Sequence, residues 1–258
     1  MRLAVIGCKV FTRELGLIGA DSPNVLSFFW LEQGLHDTPD FLRTQLQAQI
    51  DLVDELQESA YEHKKFDAIV LAYGLCSNGV TGISSRTLPL VVPRCDDCVA
   101  LFLGSQRRYL EMFASHKGTF WCNRSWWELG NVPSAAYYNA KLKSYAELYG
   151  EDNAQYLLDF ENSWIQNYRE FIYITSPHCD CPQAQEEAQR SAQQFGLGFE
   201  TVPGDSSFIR RLVNGPWTDE EFFICPSGMV LSPSYDEGKF CCTPFEQKAD
   251  QSAVLTSV

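Results

Sequence analysis

Short apolar runs alternate along this chain with stretches in which apolar residues return every third or fourth position. Arg2–Ile6, Ala68–Ala72, Leu88–Val92 and Phe171–Thr175 are runs of the first kind. Short apolar runs bounded by Gly, Pro or cysteine-bearing loops fit strands buried on both faces, as in a parallel sheet under helices. Leu42, Leu46, Ile50, Val53 and Leu56 belong to the second kind and follow Thr38-Pro39, a capping residue with proline at the first helical position. They predict a helix to about Ala60. Further helices are predicted over Val99–Leu103, Gln106–Ala114, Ala136–Tyr149, Asn153–Tyr168 and Pro182–Phe195, with a short one from Asp205 to Val213. Gly118–Cys122, Gly198–Val202 and Glu221–Ile224 read as additional strands. Between Phe11 and Asp37 the breakers Gly16, Gly19, Pro23 and Gly34 predict a long loop with at most a short strand at Val25–Phe29. Asn123–Trp127 reads as an aromatic loop. Beyond Ser232 periodicity fades, and the last ten residues are expected to fray.

The alternation implies an α/β fold, a mostly parallel sheet covered by helices in Rossmann-like layers. The 258 residues read as a single domain. It has a first α/β segment at about 1–130, a helical insert at about 136–168, a second segment at about 170–230 and a tail at 232–258.

A formal charge of −13 argues against a nucleic-acid partner, because phosphate neutralisation needs clustered Lys and Arg. No apolar run approaches the roughly 20 residues that span a bilayer, and the opening residues lack the length of a signal peptide. A cytoplasmic protein without a membrane partner is the expectation. Ten cysteines then call for a reason other than a disulfide framework.

Position supplies one. Cys8, Cys76, Cys95, Cys98, Cys122, Cys179, Cys181 and Cys225 all follow predicted strands at or near their carboxyl ends, the edge where ligands sit in such sheets. Thiolates gathered there suit zinc or an iron–sulfur cluster. Cys76 lies in Gly74-Leu75-Cys76-Ser77-Asn78-Gly79, whose glycines permit positive φ and close approach. Cys95 and Cys98 lie in Pro93-Arg94-Cys95-Asp96-Asp97-Cys98, a two-residue spacing shared by metal sites and redox dithiols. Glu14, Asp96 and Asp97 are candidates for a further ligand or base. Trp121, Trp126 and Trp127 follow a strand end and could wall a pocket for a flat cofactor or a quaternary ammonium group. Gly74, Asn78, Gly79 and Arg94 would border it. The glycine loop matches neither phosphate-binding fingerprint. His63 and His116 fall at predicted helix ends, where they complement the dipole. Cys179, Cys181, Cys225 and the adjacent Cys241-Cys242 receive no assigned role.

Several of these pieces together resemble an uncharacterised bacterial and archaeal family, the domain of unknown function 1638. They are Cys8 with Glu14 downstream, the loops at Gly74–Gly79 and Pro93–Cys98, LFLGSQRRY at Leu101–Tyr109, GTFW at Gly118–Trp121, and the late NGPW…FFICPSG. The resemblance implies a cytoplasmic α/β protein associated with corrinoid-dependent methyl transfer. It singles out Cys8, Cys76 and Cys98 as the recurring thiols and reduces Cys95 to a neighbour.

Three functions fit these readings. The first is a metal protein with zinc or an iron–sulfur cluster on Cys8, Cys76 and Cys98, acting in one-carbon or methyl transfer. Whether that protein would be a metal-dependent methyl-transfer enzyme stays open. The second is a non-catalytic module that binds a corrinoid, a corrinoid protein or a methyltransferase. The third is a thiol redox protein using Cys95 and Cys98.

Overall fold

The computed structural model describes residues 1–129 and 132–245. Its elements run in the order β1 (Arg2–Cys8), α1 (Thr12–Ala20), β2 (Val25–Leu31), α2 (Pro39–Ser59), β3 (Ala68–Ala72), β4 (Ile83–Ser84), β5 (Leu90–Pro93), α3 (Cys98–Leu103), α4 (Gln106–Ser115), β6 (Thr119–Cys122), α5 (Arg124–Glu128), α6 (Ala135–Tyr149), α7 (Glu151–Glu161), β7 (Glu170–Thr175), α8 (Pro182–Gln194), β8 (Gly198–Pro203), α9 (Ser207–Asn214), β9 (Phe222–Cys225), β10 (Met229–Pro233) and β11 (Phe240–Pro244).

The main sheet has the order β2-β1-β3-β5-β9. Its first four strands are parallel and β9 closes the edge antiparallel. Every residue of β3 is buried, as a strand covered on both faces requires. Helix α2 covers the sheet with Leu42, Leu46, Ile50 and Val53, all fully buried. Leu56, one turn further, is 42% exposed, so the apolar stripe ends before the helix does.

A second, three-stranded sheet, β6-β7-β8, is also parallel. The expectation of one sheet containing Phe171–Thr175 is corrected here: the strand forms, but in this second sheet. Strand β7 alternates its side chains between two cores. Ile172 and Ile174 join the large core of the main sheet, whereas Phe171 and Tyr173 face Ala184, Ala188 and Ala192 of α8. Two apolar faces on one strand tie both sheets into adjoining cores.

Three other expectations are corrected. Thr12–Ala20 is a helix, because Gly16 and Gly19 adopt ordinary φ while Leu15 and Ile18 bury a face against the core. Asn123–Trp127 is a capped helical turn, with Asn123 Oδ1 accepting from Trp126 N at 3.1 Å. The stretch beyond Ser232 holds β11, which pairs with β10 and, through it, β4 in a small antiparallel sheet. The expected fraying of the last ten residues falls outside the described residues.

Candidate functional site

The chain leaves β3 through Tyr73-Gly74-Leu75-Cys76 and leaves β5 through Arg94–Asp97. These loops are joined backbone to backbone: Leu75 N donates to Cys95 O (2.9 Å) and Cys76 N to Asp96 O (3.0 Å). Gly74 permits this, since a Cβ there would stand 2.7 Å from Asp97 Cα and N. Cys76, Ser77 and Asn78 then all take positive φ, at 45°, 57° and 64°. Left-handed backbone costs a non-glycine residue about 1–2 kcal/mol, so three in succession need holding. Gly79 N bonds Cys76 O (3.0 Å). Asn78 O accepts from Thr81 N (3.2 Å), Thr81 Oγ1 (2.8 Å) and Arg43 Nη2 (3.3 Å). The flanking glycines were expected to carry the positive φ; they supply room instead, and Cys-Ser-Asn carries the strain. Strain fixed by its surroundings, at a sheet's carboxyl edge, points to function.

Cys8 ends β1, Cys76 follows β3, and Cys98 opens α3 directly after the Asp97 cap. Burial pushes the Cys8 thiol up to about 11 and the Cys76 thiol up to about 12, the latter helped by the charges of Asp97 and Cys8. Burial also raises the Cys98 thiol well above its ordinary value, followed by the charges of Asp97, Cys76 and Cys8. The three sulfurs therefore lie within electrostatic reach of one another. Tyr73 stands among them: burial raises its pKa, followed by the charges of these same three cysteines. Its Oη is buried and has no hydrogen-bond partner. As a set the sulfurs are not tightly closed. Among the described residues, the group of three or more ligand side chains within 4.8 Å of one another is His116, Glu170 and Glu200.

Cys76, Ser77, Asp97 and Cys98 open on a cleft of about 970 Å³. Its far wall is aromatic, with Trp121 and Trp126 joined by Phe120, Tyr137, Trp164 and Tyr168. Phe120 sets this wall by packing on Trp164 (5.8 Å between centroids), Tyr168 (5.5 Å) and Phe171 (4.6 Å). Among the described residues that line the cleft none is Lys or Arg, whereas Asp37, Asp96, Asp97 and Glu161 are acidic. Lysines behind the wall offset part of this charge, Lys141 at Glu161 and Lys239 at Asp96 (2.5 Å). Gln33 also lines the cleft, and its Oε1 is buried without a partner.

The remaining candidates scatter. Cys95 is fully buried in the core beneath its loop. Asp97 accepts from Val99 N and from Tyr109 Oη, both at 2.8 Å, and burial raises its pKa. Asp96 is bound by Gln106 and Lys239. Arg94 turns from the cleft to lie 5.0 Å over Phe223 and bond Asp219 O and Gly238 O. Trp127 packs in the smaller core. Glu14 faces Cys179, which donates to its Oε1 at 3.3 Å. Cys122 is buried in the second sheet. Cys225 lies at the opposite edge of the main sheet, opposite Leu90 at the start of β5, because β9 runs antiparallel. The sequence reading missed Tyr73, although it sits between a strand and a cysteine loop. It also missed Trp164 and Tyr168, which fall within the helix predicted over Asn153–Tyr168.

A family model described as a protein of unknown function (DUF1638) matches residues 30–213. No curated protein and no solved structure matches the chain.

Proposed function

The chain belongs to the DUF1638 family, and on that premise we propose that it is a cysteine-ligated metal protein. Cys8, Cys76 and Cys98 hold the metal, and the cleft admits the molecule that the centre acts on. The observation that carries this reading is the gathering of three thiols, from three parallel strands, around the unpartnered phenol of Tyr73. Buried Cys8 and half-buried Cys76 and Cys98, the latter two crowded by Asp97, are poor homes for negative charge unless a cation offsets it. Thiolate sulfurs would accept the hydrogen bond that Tyr73 Oη lacks, a support of the kind that orients metal ligands. Three protein ligands would leave one position open, and because Cys76 and Cys98 line the cleft, a guest there would reach it.

The donor set suits soft metals, and its spread separates the candidates. A single zinc at ~2.3 Å from each sulfur brings tetrahedral ligands to roughly 3.8 Å from one another. The set here is wider than 4.8 Å in at least one pair, which favours a cluster whose irons each take one cysteine. When bound, such a centre supplies a Lewis-acidic site. The protein's own part is to orient the guest on Trp121, Trp126 and Phe120, to shield it from water, and to favour cationic or flat groups over anions. Placement within corrinoid-linked methyl or one-carbon transfer comes from the family resemblance. The dithiol reading is weakened because Cys95 is inaccessible and burial raises both its pKa and that of Cys98, whereas exchange needs a reachable thiolate.

Anaerobic purification followed by metal and sulfide analysis tests the proposal. A brown protein with iron and sulfide is expected, and a colourless one with zinc would shift the reading to a single ion. Cys76→Ser should stay folded and lose the metal. Full occupancy in a folded Cys76→Ser variant, or a wild-type chain that takes up neither metal on reconstitution, would sink it.

A further inference from the structure

A second crevice opens where the carboxyl ends of β1, β7 and β8 face one another, the edge at which α/β sheets bind ligands. It is a hollow of about 240 Å³ lined by Glu14, Ile18, Ser176, Cys179, Ser206 and Arg210, among others. Glu14 is only 5% exposed. Its Oε1 accepts the Cys179 thiol at 3.3 Å, and Ser176 Oγ lies 2.8 Å from the same sulfur. Its Oε2 is buried and has no hydrogen-bond partner. Leaving a buried acceptor unpaired costs about 1–3 kcal/mol, so this oxygen is poised for a donor that a guest brings.

The same lining holds Arg210, and His178 as well. Arg210 lies in the first turn of α9, its side chain is 43% exposed, and its ion-pair partner Asp21 is a long 3.4 Å away. A guanidinium receives carboxylates well. The walls are fixed. Arg124 donates to Cys179 O (3.0 Å) and Asp180 O (3.4 Å), and Tyr173 Oη to Asp180 (3.0 Å). Arg124 also bonds Glu128, which takes Arg13 on both oxygens at 2.6 Å. The loop carrying Cys179 is thereby tied to the helix carrying Glu14.

We propose that this hollow binds a small zwitterion of α-amino-acid size, its ammonium donating to Glu14 Oε2 and its carboxylate received by Arg210. An unpaired acceptor and a cation in one lining match a guest carrying both charges, and a singly charged guest leaves one of the two without a partner. The space is about eight water volumes at ~30 Å³ each, which suits an amino acid and not a nucleotide. The site is separate from the metal centre and does not depend on it. Cys179 gives it a built-in reporter.

The test uses the full chain and a panel of the common L-amino acids, read by calorimetry and by the rate at which iodoacetamide alkylates Cys179. The tightest binder is then compared with its methyl ester, which lacks the carboxylate, and its N-acetyl form, which lacks the ammonium. Each control should bind at least about tenfold more weakly, the loss of one charge-assisted contact, and the amino acid should slow alkylation of Cys179 specifically. Glu14→Gln and Arg210→Ala should each weaken binding by at least about tenfold, with metal content unchanged. Should Glu14→Gln fail to fold, Arg210→Ala and the two blocked ligands still decide the matter. No binding at about 10 mM, equal binding of the blocked forms, or wild-type affinity in Arg210→Ala would overturn the proposal.

Discussion

Replacing Gly74 by alanine tests whether the two cysteine loops must touch. The added Cβ would meet Asp97 Cα and N at 2.7 Å and Asp96 C at 2.9 Å, where ordinary contacts begin at 3.4 Å. These are backbone atoms, so no side chain can swing aside and the loop after β5 must move bodily. Overpacking of this kind costs about 1–3 kcal/mol. The movement also stretches the bonds from Leu75 N to Cys95 O and from Cys76 N to Asp96 O, each worth about 1 kcal/mol. A destabilisation of about 2–5 kcal/mol follows, or roughly 5–15 °C in Tm for a chain of this size. Because the shift separates Cys76 from Cys98, metal occupancy should fall as well. Gly16→Ala is the control. Gly16 sits in α1 with open space around it, so the same change should stabilise by about 0.5–1 kcal/mol. Scanning calorimetry with metal analysis reads both variants. A Gly74→Ala protein within about 0.5 kcal/mol of wild type and fully metallated would refute the argument.

Two more outcomes follow from buried carboxylates. Asp54 of α2 is fully buried and fixes the turn before β5. Its Oδ1 accepts Ser85 Oγ (2.7 Å), Thr87 Oγ1 (2.5 Å) and Thr87 N (3.1 Å), and its Oδ2 accepts Arg86 N (2.9 Å). Asp54→Asn must point an amide N–H at a donor in either orientation, and should cost about 2–4 kcal/mol, seen as a lower urea midpoint at unchanged m; an unmoved midpoint contradicts this. For Glu14 the outcome is a pH dependence, because burial raises its pKa in the native protein. Between the usual carboxylate value of ~4.3 and that raised value, the native state holds more protons than the unfolded one. Its contribution to stability is therefore present at acid pH and lost as pH rises through the native pKa. Glu14→Gln should remove this decline from the stability–pH curve, and an identical curve in the variant would show that Glu14 does not titrate so.

Strand positions were legible in the chain because burial on both faces leaves unbroken apolar runs: Ala68–Ala72 coincides with β3 and Arg2–Ile6 lies within β1. What failed was pairing and local override. An apolar run does not say which sheet it joins, so β7 could be recognised as a strand but not placed beside β6 and β8. Nor does it state direction, so β9 and its Cys225 were set at the wrong edge. Helix α1 was hidden by two glycines that weaken local propensity by roughly 1 kcal/mol each. Tertiary burial of Phe11, Leu15 and Ile18 outweighs that deficit.

The candidate site divides along the same physical line. Parallel strands of the main sheet bring the loops of Cys8, Cys76, Cys95 and Cys98 to one edge, and it is the family resemblance that singles out Cys8, Cys76 and Cys98 among them. Trp121 and Trp126 could be placed near them because β6 ends at Cys122. Glu14 went astray because helical phase decides its neighbour. It sits two residues into α1, where a turn of the helix carries it towards β7 and Cys179 instead of β3 and Cys76. Had α1 been the predicted loop, no such phase would exist and Glu14 could have reached the thiols. One unrecognised helix therefore separates a single crowded site from the two crevices seen here, an aromatic cleft beside the cysteine loops and unpaired Tyr73, and a polar hollow with unpaired Glu14. Each crevice keeps a buried polar atom without a partner. Well-packed interiors seldom leave such atoms, and it is on these two atoms that ligand binding at both sites can be tested independently.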